Sequence, residues 1–216
     1  MTNFEIQHCT EEDIPRVFEL VSLSFGHDHE YMDAIFPHHD TPAGRKAGSE
    51  RLLKSFHEDQ HGVFLKLVET TSGKIVAAAK WNIYNGGPVP QQPELDGDYW
   101  ETEDDKEFAK GMFKEFFTAR QRLIEETEAH LAALDMLMVD PAYQRMGAGR
   151  ALVRWGLAEA DKLGIEAVVE GSDQAQRLYA SEGFDGTRLV CPVPEKFAAR
   201  RKQAYWWMRR PLRHTA

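Results

Sequence analysis

Residues 139 to 150 read Val-Asp-Pro-Ala-Tyr-Gln-Arg-Met-Gly-Ala-Gly-Arg. An apolar run ends at Pro141, two glycines follow one residue apart, and an amphipathic stretch begins. A strand-to-helix turn of this kind aims unpaired backbone N–H groups, and about half a positive charge of helix dipole, at one point. Its chemistry is anion binding. Gly147 and Gly149 would let the main chain approach phosphate oxygens without a Cβ in the way, and Arg145 and Arg150 add cations beside it. The expected ligand carries phosphate. Two familiar nucleotide fingerprints fail here: GxGxxG wants a third glycine where Leu152 stands, and GxxxxGK followed by Ser or Thr lacks its lysine and hydroxyl. A lone Gly-Ala-Gly also serves as a plain tight turn, so the surrounding elements must decide.

Those elements alternate. Leu131 to Val139 is an apolar run with strand character, Leu152, Val153, Gly156, Leu157, Ala160 and Leu163 form a helical stripe closed by Gly164, and Ile165 to Val169 is a second buried strand. This order implies two parallel strands joined by a crossover helix. Along the first of them, simple alternation puts Ala133, Asp135, Leu137 and Val139 on one face, so Asp135 interrupts an otherwise apolar strand. Earlier in the chain, Phe4 to Cys9 reads as a strand, with Thr10 and Glu11-Glu12-Asp13 opening a helix through Phe25. Gly26 to Gly48 reads as irregular and Ser49 to His57 as a helix. Val63 to Glu69 and Lys74 to Tyr84 form a hairpin across Thr-Thr-Ser-Gly. Asn85 to Asp105 is a long Pro/Gly-rich loop, Phe108 to Leu123 an amphipathic helix, and Tyr205 to Met208 a last strand with one indole of Trp206-Trp207 on each face.

Composition sets the class. With 216 residues, 42% hydrophobic and 28% charged, the chain can bury a substantial core, and a single domain spanning 1–216 is expected. The start has no secretory pattern and no run is long enough to span a bilayer, so neither export nor membrane insertion is expected. Cys9 and Cys191 stand alone without CxxC spacing, which fits a reducing, cytoplasmic setting. A net charge of -9 argues against nucleic acid as a partner. The His-rich stretch with His27, His29, Glu30, His38, His39 and Asp40 offers ligand residue types, but it has no HExxH spacing and no metal is expected.

Gln144-Arg145-Met146-Gly147-Ala148-Gly149 resembles the acetyl-coenzyme A motif of the GNAT superfamily of N-acetyltransferases, Arg/Gln-x-x-Gly-x-Gly/Ala, and Leu178 to Phe184 is similar to its LYxxxGF signature. From Ile165 to Phe184 the similarity is closest to small fungal members. The resemblance implies an α/β fold: a twisted mixed sheet flanked by helices, whose central parallel strands splay into a cleft, with the acetyl-CoA-binding core at about 131–184. It implies acetyl-CoA as co-substrate, held by main-chain groups of Leu137, Met138 and Val139 and by Gln144, Arg145, Met146, Gly147, Ala148, Gly149 and Arg150. Ser172 stands where many members have a cofactor-contacting asparagine. Tyr179 is the implied acid for the leaving thiolate. An alkylamine holds its proton at neutral pH, and losing it costs roughly 4 to 5 kcal/mol, so a base is also expected. By the same resemblance Asp135 matches a histidine position of arylalkylamine-type members and is one base candidate, with a structural ion pair as its other reading. Glu170 is the competing carboxylate.

The implied reaction is direct attack by a small primary amine in a ternary complex, by a monomer or homodimer. Protein N-termini or lysines are the alternative acceptors, and a non-catalytic acyl-CoA-binding protein is the alternative of another class. The His-rich stretch with Phe25, Tyr31 and Phe36, and Tyr99 and Trp100 of the long loop, would border the acceptor; a solvated loop is the other reading.

Overall fold

A computed structural model describes residues 3–212. Seven strands form one mixed sheet in the order β1-β2-β3-β4-β5-β7-β6. They are β1 (Phe4–His8), β2 (Gly62–Glu69), β3 (Ile75–Asn85), β4 (His130–Val139), β5 (Glu166–Gly171), β6 (Asp185–Val190) and β7 (Ala204–Arg210). Only β4 and β5 are parallel, because only they are joined by a crossover helix; the rest pair antiparallel. The helices are α1 (Ile14–Phe25), α2 (Glu30–Ile35), α3 (Pro42–Glu58), α4 (Glu103–Phe116), α5 (Thr118–Glu126), α6 (Ala148–Leu163) and α7 (Gln176–Ser181).

The hairpin, the parallel pair and the crossover helix lie where the sequence patterns put them. Gly73 turns the β2–β3 hairpin at a φ of 70°, a conformation that suits glycine. Trp206 packs with the α6-side core and Trp207 with the clusters on the other face.

Two segments differ from expectation. The stretch read as irregular holds α2 and the first turns of α3, whose start is fixed by Thr41 accepting from the Gly44 amide, with Pro42 in the first turn. The single helix expected over Phe108 to Leu123 is two helices, broken at Phe117, where ψ is 1°.

Apolar residues from α6, β2, β3, β4 and β5 fill one side of the sheet, and α1, α2, α4 and β7 contribute to a second cluster on the other. Gly156 of α6 is required there: a Cβ would lie 2.0 Å from Trp81, whose fully buried indole donates to the Leu152 carbonyl at 3.3 Å. Both thiols are free and buried, and burial pushes each pKa up to about 12. Among the described residues, no helix is long and apolar enough to cross a membrane.

Candidate active site

β4 and β5 pair only over Leu131–Leu134 and Glu166–Val169. Beyond Leu134, β4 stays with β3 while β5 follows β7, so a gap opens between them. A bulge marks the parting: Trp81 lies opposite Leu134 and Lys80 opposite Met136, which leaves Asp135 without a partner on β3. The extra residue also inverts the face pattern. Leu137 and Val139 join Ala132 and Leu134 on the α6 side, whereas Ala133 packs on the other, so the alternation read from the sequence holds only as far as Asp135.

The Asp140 amide donates to the Val76 carbonyl at 2.8 Å. Alternate residues of an antiparallel ladder share that direction, so the main chain of Met138 faces β3, and that of Leu137 and Val139 faces the gap. At Val139 the Ser24 hydroxyl at the end of α1 takes both groups, accepting from the N–H and donating to the C=O at 3.0 Å each.

The turn after β4 carries the anion chemistry. Asp140 anchors it, accepting from Arg16 (2.8 Å), Lys74 (3.1 Å) and the Ala142 amide (3.1 Å). Arg145 (φ 64°) and Gly147 (φ 91°) adopt left-handed backbone, and α6 starts at Ala148 with no side chain capping it. The amides of Arg145 through Arg150 donate to no backbone or side-chain acceptor among the described residues. These amides lie in a largely exposed turn at the N-terminus of a 16-residue helix, where the dipole favours an anion.

The glycines contribute differently. A Cβ at Gly147 would meet nothing within 4 Å, so its need is conformational; at Gly149 it would sit 3.4 Å from both Val139 and Leu178. The two arginines also differ. Arg150 is committed to Glu182 (3.0 Å) and Ser181 (3.1 Å) of the α7 region, whereas exposed Arg145 has no ion-pair partner among the described residues. Gln144 reaches the Val139 carbonyl at 3.5 Å, and Met146 is solvent-exposed.

At the point of divergence lies a network of buried charge. Asp135 accepts from Arg120 at 2.7 Å and Lys80 at 3.0 Å; Arg120 also grips Glu170 through Nε at 3.1 Å and through Nη2; Lys80 continues to Asp59 at 2.6 Å. Three carboxylates face two cations. Burial opposes the Asp135 charge, but Lys80 and Arg120 outweigh it and hold the carboxyl at about 2. Burial raises the Glu170 pKa against the pull of Arg120.

A base must have a free lone pair as well as suitable basicity. Each oxygen of Asp135 accepts one hydrogen bond from a cation, which lowers its basicity, and the Glu170 side chain is fully enclosed with Arg120. Both carboxylates are thus ion-paired, and the cations that hold Asp135 at about 2 make it a weak proton acceptor. Arg120, Lys80, Asp59 and Ser24 were not singled out in the sequence. Lys80 alone left a signal, a charge inside the apolar run of β3.

Tyr179 is 4% exposed beside the cleft, edge-on to Phe184 at 5.9 Å, and its hydroxyl bonds no described group. Burial raises its pKa above the ordinary 10, which keeps the phenol protonated at neutral pH. Ser172 accepts the Ala175 and Gln176 amides (3.1 Å) on its carbonyl, leaving its hydroxyl without a protein partner among the described residues.

The His-rich stretch splits. His27, Asp33 and His39 bring one ligand atom each within 4.8 Å of one another. Hydrogen bonds already join them: His27 to Asp33 at 2.9 Å, His39 to Asp33 at 3.2 Å and His39 to Ser22 at 3.1 Å, while Arg201 holds the other Asp33 oxygen at 3.0 Å. His38 turns instead to Glu101 (3.2 Å). Glu30 pairs with Arg201 (2.6 Å), and His29 is half-buried against Phe25, with desolvation lowering its pKa to about 4.

Comparison with known proteins gives this geometry a context. The sequence model of the acetyltransferase (GNAT) family matches residues 27–184. A search of curated proteins finds no relative by sequence. Among solved structures, the chain is similar to the histone acetyltransferase HPA2 and related acetyltransferase of Corynebacterium glutamicum (16% identity, 100% and 99% of the two chains, TM-score 0.61). It is similar to the mosquito arylalkylamine N-acetyltransferase like 5b (13% identity, 97% and 100%, TM-score 0.61). It also resembles yncA of Salmonella typhimurium, an acetyltransferase solved with acetyl-CoA (18% identity, 99% and 96%, TM-score 0.54).

Proposed function

The chain belongs to the GNAT family of acetyltransferases, and from that premise we propose that it transfers the acetyl group of acetyl-CoA to the primary amine of a small molecule, by direct attack within a ternary complex. The run of unbonded amides from Arg145 to Arg150 carries this reading, because it is built for a diphosphate and opens beside the gap between β4 and β5. The main chain of Leu137, and that of Val139 once Ser24 yields it, would hold the pantetheine arm by strand-like pairing. Arg145 is the cation left free for phosphate, and the Ser172 hydroxyl remains available for the arm.

Acetyl-CoA supplies an activated thioester: the amine nitrogen forms the new C–N bond, the C–S bond breaks, and the sulfur departs with the electron pair. A protonated Tyr179 is the residue able to give that sulfur a proton. Asp135 and Glu170 keep Arg120 in place at the point where the strands part, and the proton that the amine sheds passes to water in the open cleft. Phe25, Tyr31 and Trp100 would border the acceptor, and one domain would contain the whole site.

Thiol release from acetyl-CoA, measured across a panel of small primary amines and of peptides, tests the proposal. Turnover with small amines is expected. Turnover confined to peptides would shift the acceptor class to proteins. Tight CoA binding with no turnover would indicate a binding protein.

A further inference from the structure

Among the aromatic residues expected to border the acceptor, α3 places an arginine without a counter-charge among the described residues. Arg51 makes no ion pair among the described residues; the titratable groups nearest in effect are the neutral phenols Tyr99 and Tyr31. Its guanidinium lies over the rings of Phe36 (4.4 Å), Tyr99 (4.5 Å) and Trp100 (5.7 Å), and Nη1 donates to the Ile35 carbonyl at 2.5 Å. The Trp100 indole, bonded to the Ala34 carbonyl at 2.8 Å, pins the long loop against α2 beside it.

The other edge, Nε and Nη2, bonds no described group, and neither atom is sealed from solvent. Arg51 lines a cavity of about 320 Å³ whose wall is otherwise mostly apolar, including Phe36, Pro37, Ala47 and Tyr99. The acid of this lining, Asp98, is fully exposed and turns to Lys106 at 3.8 Å.

Removing a guanidinium from water without an anion is costly, and contacts with aromatic faces offset only part of the loss. Burial accordingly lowers the Arg51 pKa to about 10. A planar carboxylate completes such a site, because two parallel N–H groups of one guanidinium edge match its two oxygens. A dianion would have to shed far more water to enter an apolar wall, so the lining selects single charge and an apolar body.

We propose that the cavity between α3, the turn after α2 and the Tyr99 loop binds a small monocarboxylate, its carboxylate on the Nε–Nη2 edge of Arg51 and its hydrocarbon part against Phe36, Pro37 and Ala47. This site is separate from the phosphate-binding turn in both residues and chemistry.

Isothermal titration of the full chain with benzoate tests it, with benzamide as the neutral match in shape and inorganic phosphate as the competing anion. Benzoate is expected to bind one to one, and benzamide and phosphate about tenfold or more weakly. Ala47→Leu fills the cavity while keeping the guanidinium, and Arg51→Met keeps the stem while removing the charge; each should weaken benzoate by about tenfold or more in protein that still melts cooperatively. Gly147→Val, which alters the phosphate turn, should leave benzoate binding intact, so this test is independent of acetyl transfer. Absence of benzoate binding to the unmodified chain, equal binding of benzamide, preference for phosphate, or full affinity in folded Ala47→Leu would each overturn the proposal.

Discussion

Asp135 stays charged because two cations face it, and that has a pH signature. Its folded pKa of about 2 lies below its ordinary 3.8, so its stabilisation is complete above about pH 4 and is lost as pH falls towards 2. A shift of that size corresponds to about 2 kcal/mol. Asp135→Asn should therefore lower unfolding free energy by an amount that is constant from pH 5 to 7 and shrinks below about pH 4, read by urea unfolding across pH. In the same variant the alkaline-rising limb of the pH–rate curve should keep its position, because the proposed route takes the amine's proton away from this paired carboxylate; a displaced limb would give Asp135 the catalytic role.

Tyr179→Phe tests the other proton. Because the hydroxyl bonds no group among the described residues, its removal should leave the melting temperature nearly unchanged and CoA affinity intact, yet lower kcat by about 10²-fold. Full retention of kcat would remove its role as acid. The sequence showed Asp135 as a carboxylate out of place in an apolar strand, but not what holds it. Lys80 is 55 residues away, and Arg120, 15 residues earlier, looks like any polar residue on a helix face.

The turn from β4 into α6 was the most legible element, since its function depends on local backbone, and local backbone follows from glycine placement. The structure refines the reason. Gly147→Val meets no neighbour but forces a β-branched residue to a φ of 91°, so the turn itself should rearrange. Gly149→Val adds atoms beyond a Cβ already in contact with Val139 and Leu178. Each should weaken CoA at least about tenfold by calorimetry, whereas Gly149→Ala should cost much less. Unchanged affinity in both valine variants would refute the cradle.

The arginines separate by the same logic. Arg145→Ala should weaken CoA and flatten its salt dependence, while Arg150→Ala should chiefly release Glu182 and loosen α7. The bulge at Asp135 was not legible, because it is decided by a distant partner, β3. The Thr41-Pro42 start of α3 was legible in principle, as a cap followed by a first-turn proline, but the surrounding glycine and histidine masked it.

At the scale of the molecule, the two thiols report on global opening. Cys9 is 8% exposed and Cys191 is fully buried, each with its pKa raised to about 12, so aromatic disulfide reagents should label neither in the native chain except at the rate of unfolding. Rapid labelling of either would show that its cover opens locally. The hairpin and the parallel pair followed from the order of patterns along the chain and the mixed sheet from the family resemblance, but the place of the last strand followed from neither pattern nor spacing, because strand spacing alone does not say which neighbours a strand finds. That strand, β7, lies between β5 and β6 and pairs with both. While the chain is being synthesised, the wall of the cleft that carries Glu170 and Gly171 therefore lacks its outer neighbour until residues 204–210 have left the ribosome. An enzyme assembled in this order gains its activity only after this strand has emerged, and a stop shortly before Ala204 should leave an inactive product bearing two unsatisfied strand edges, ready to aggregate.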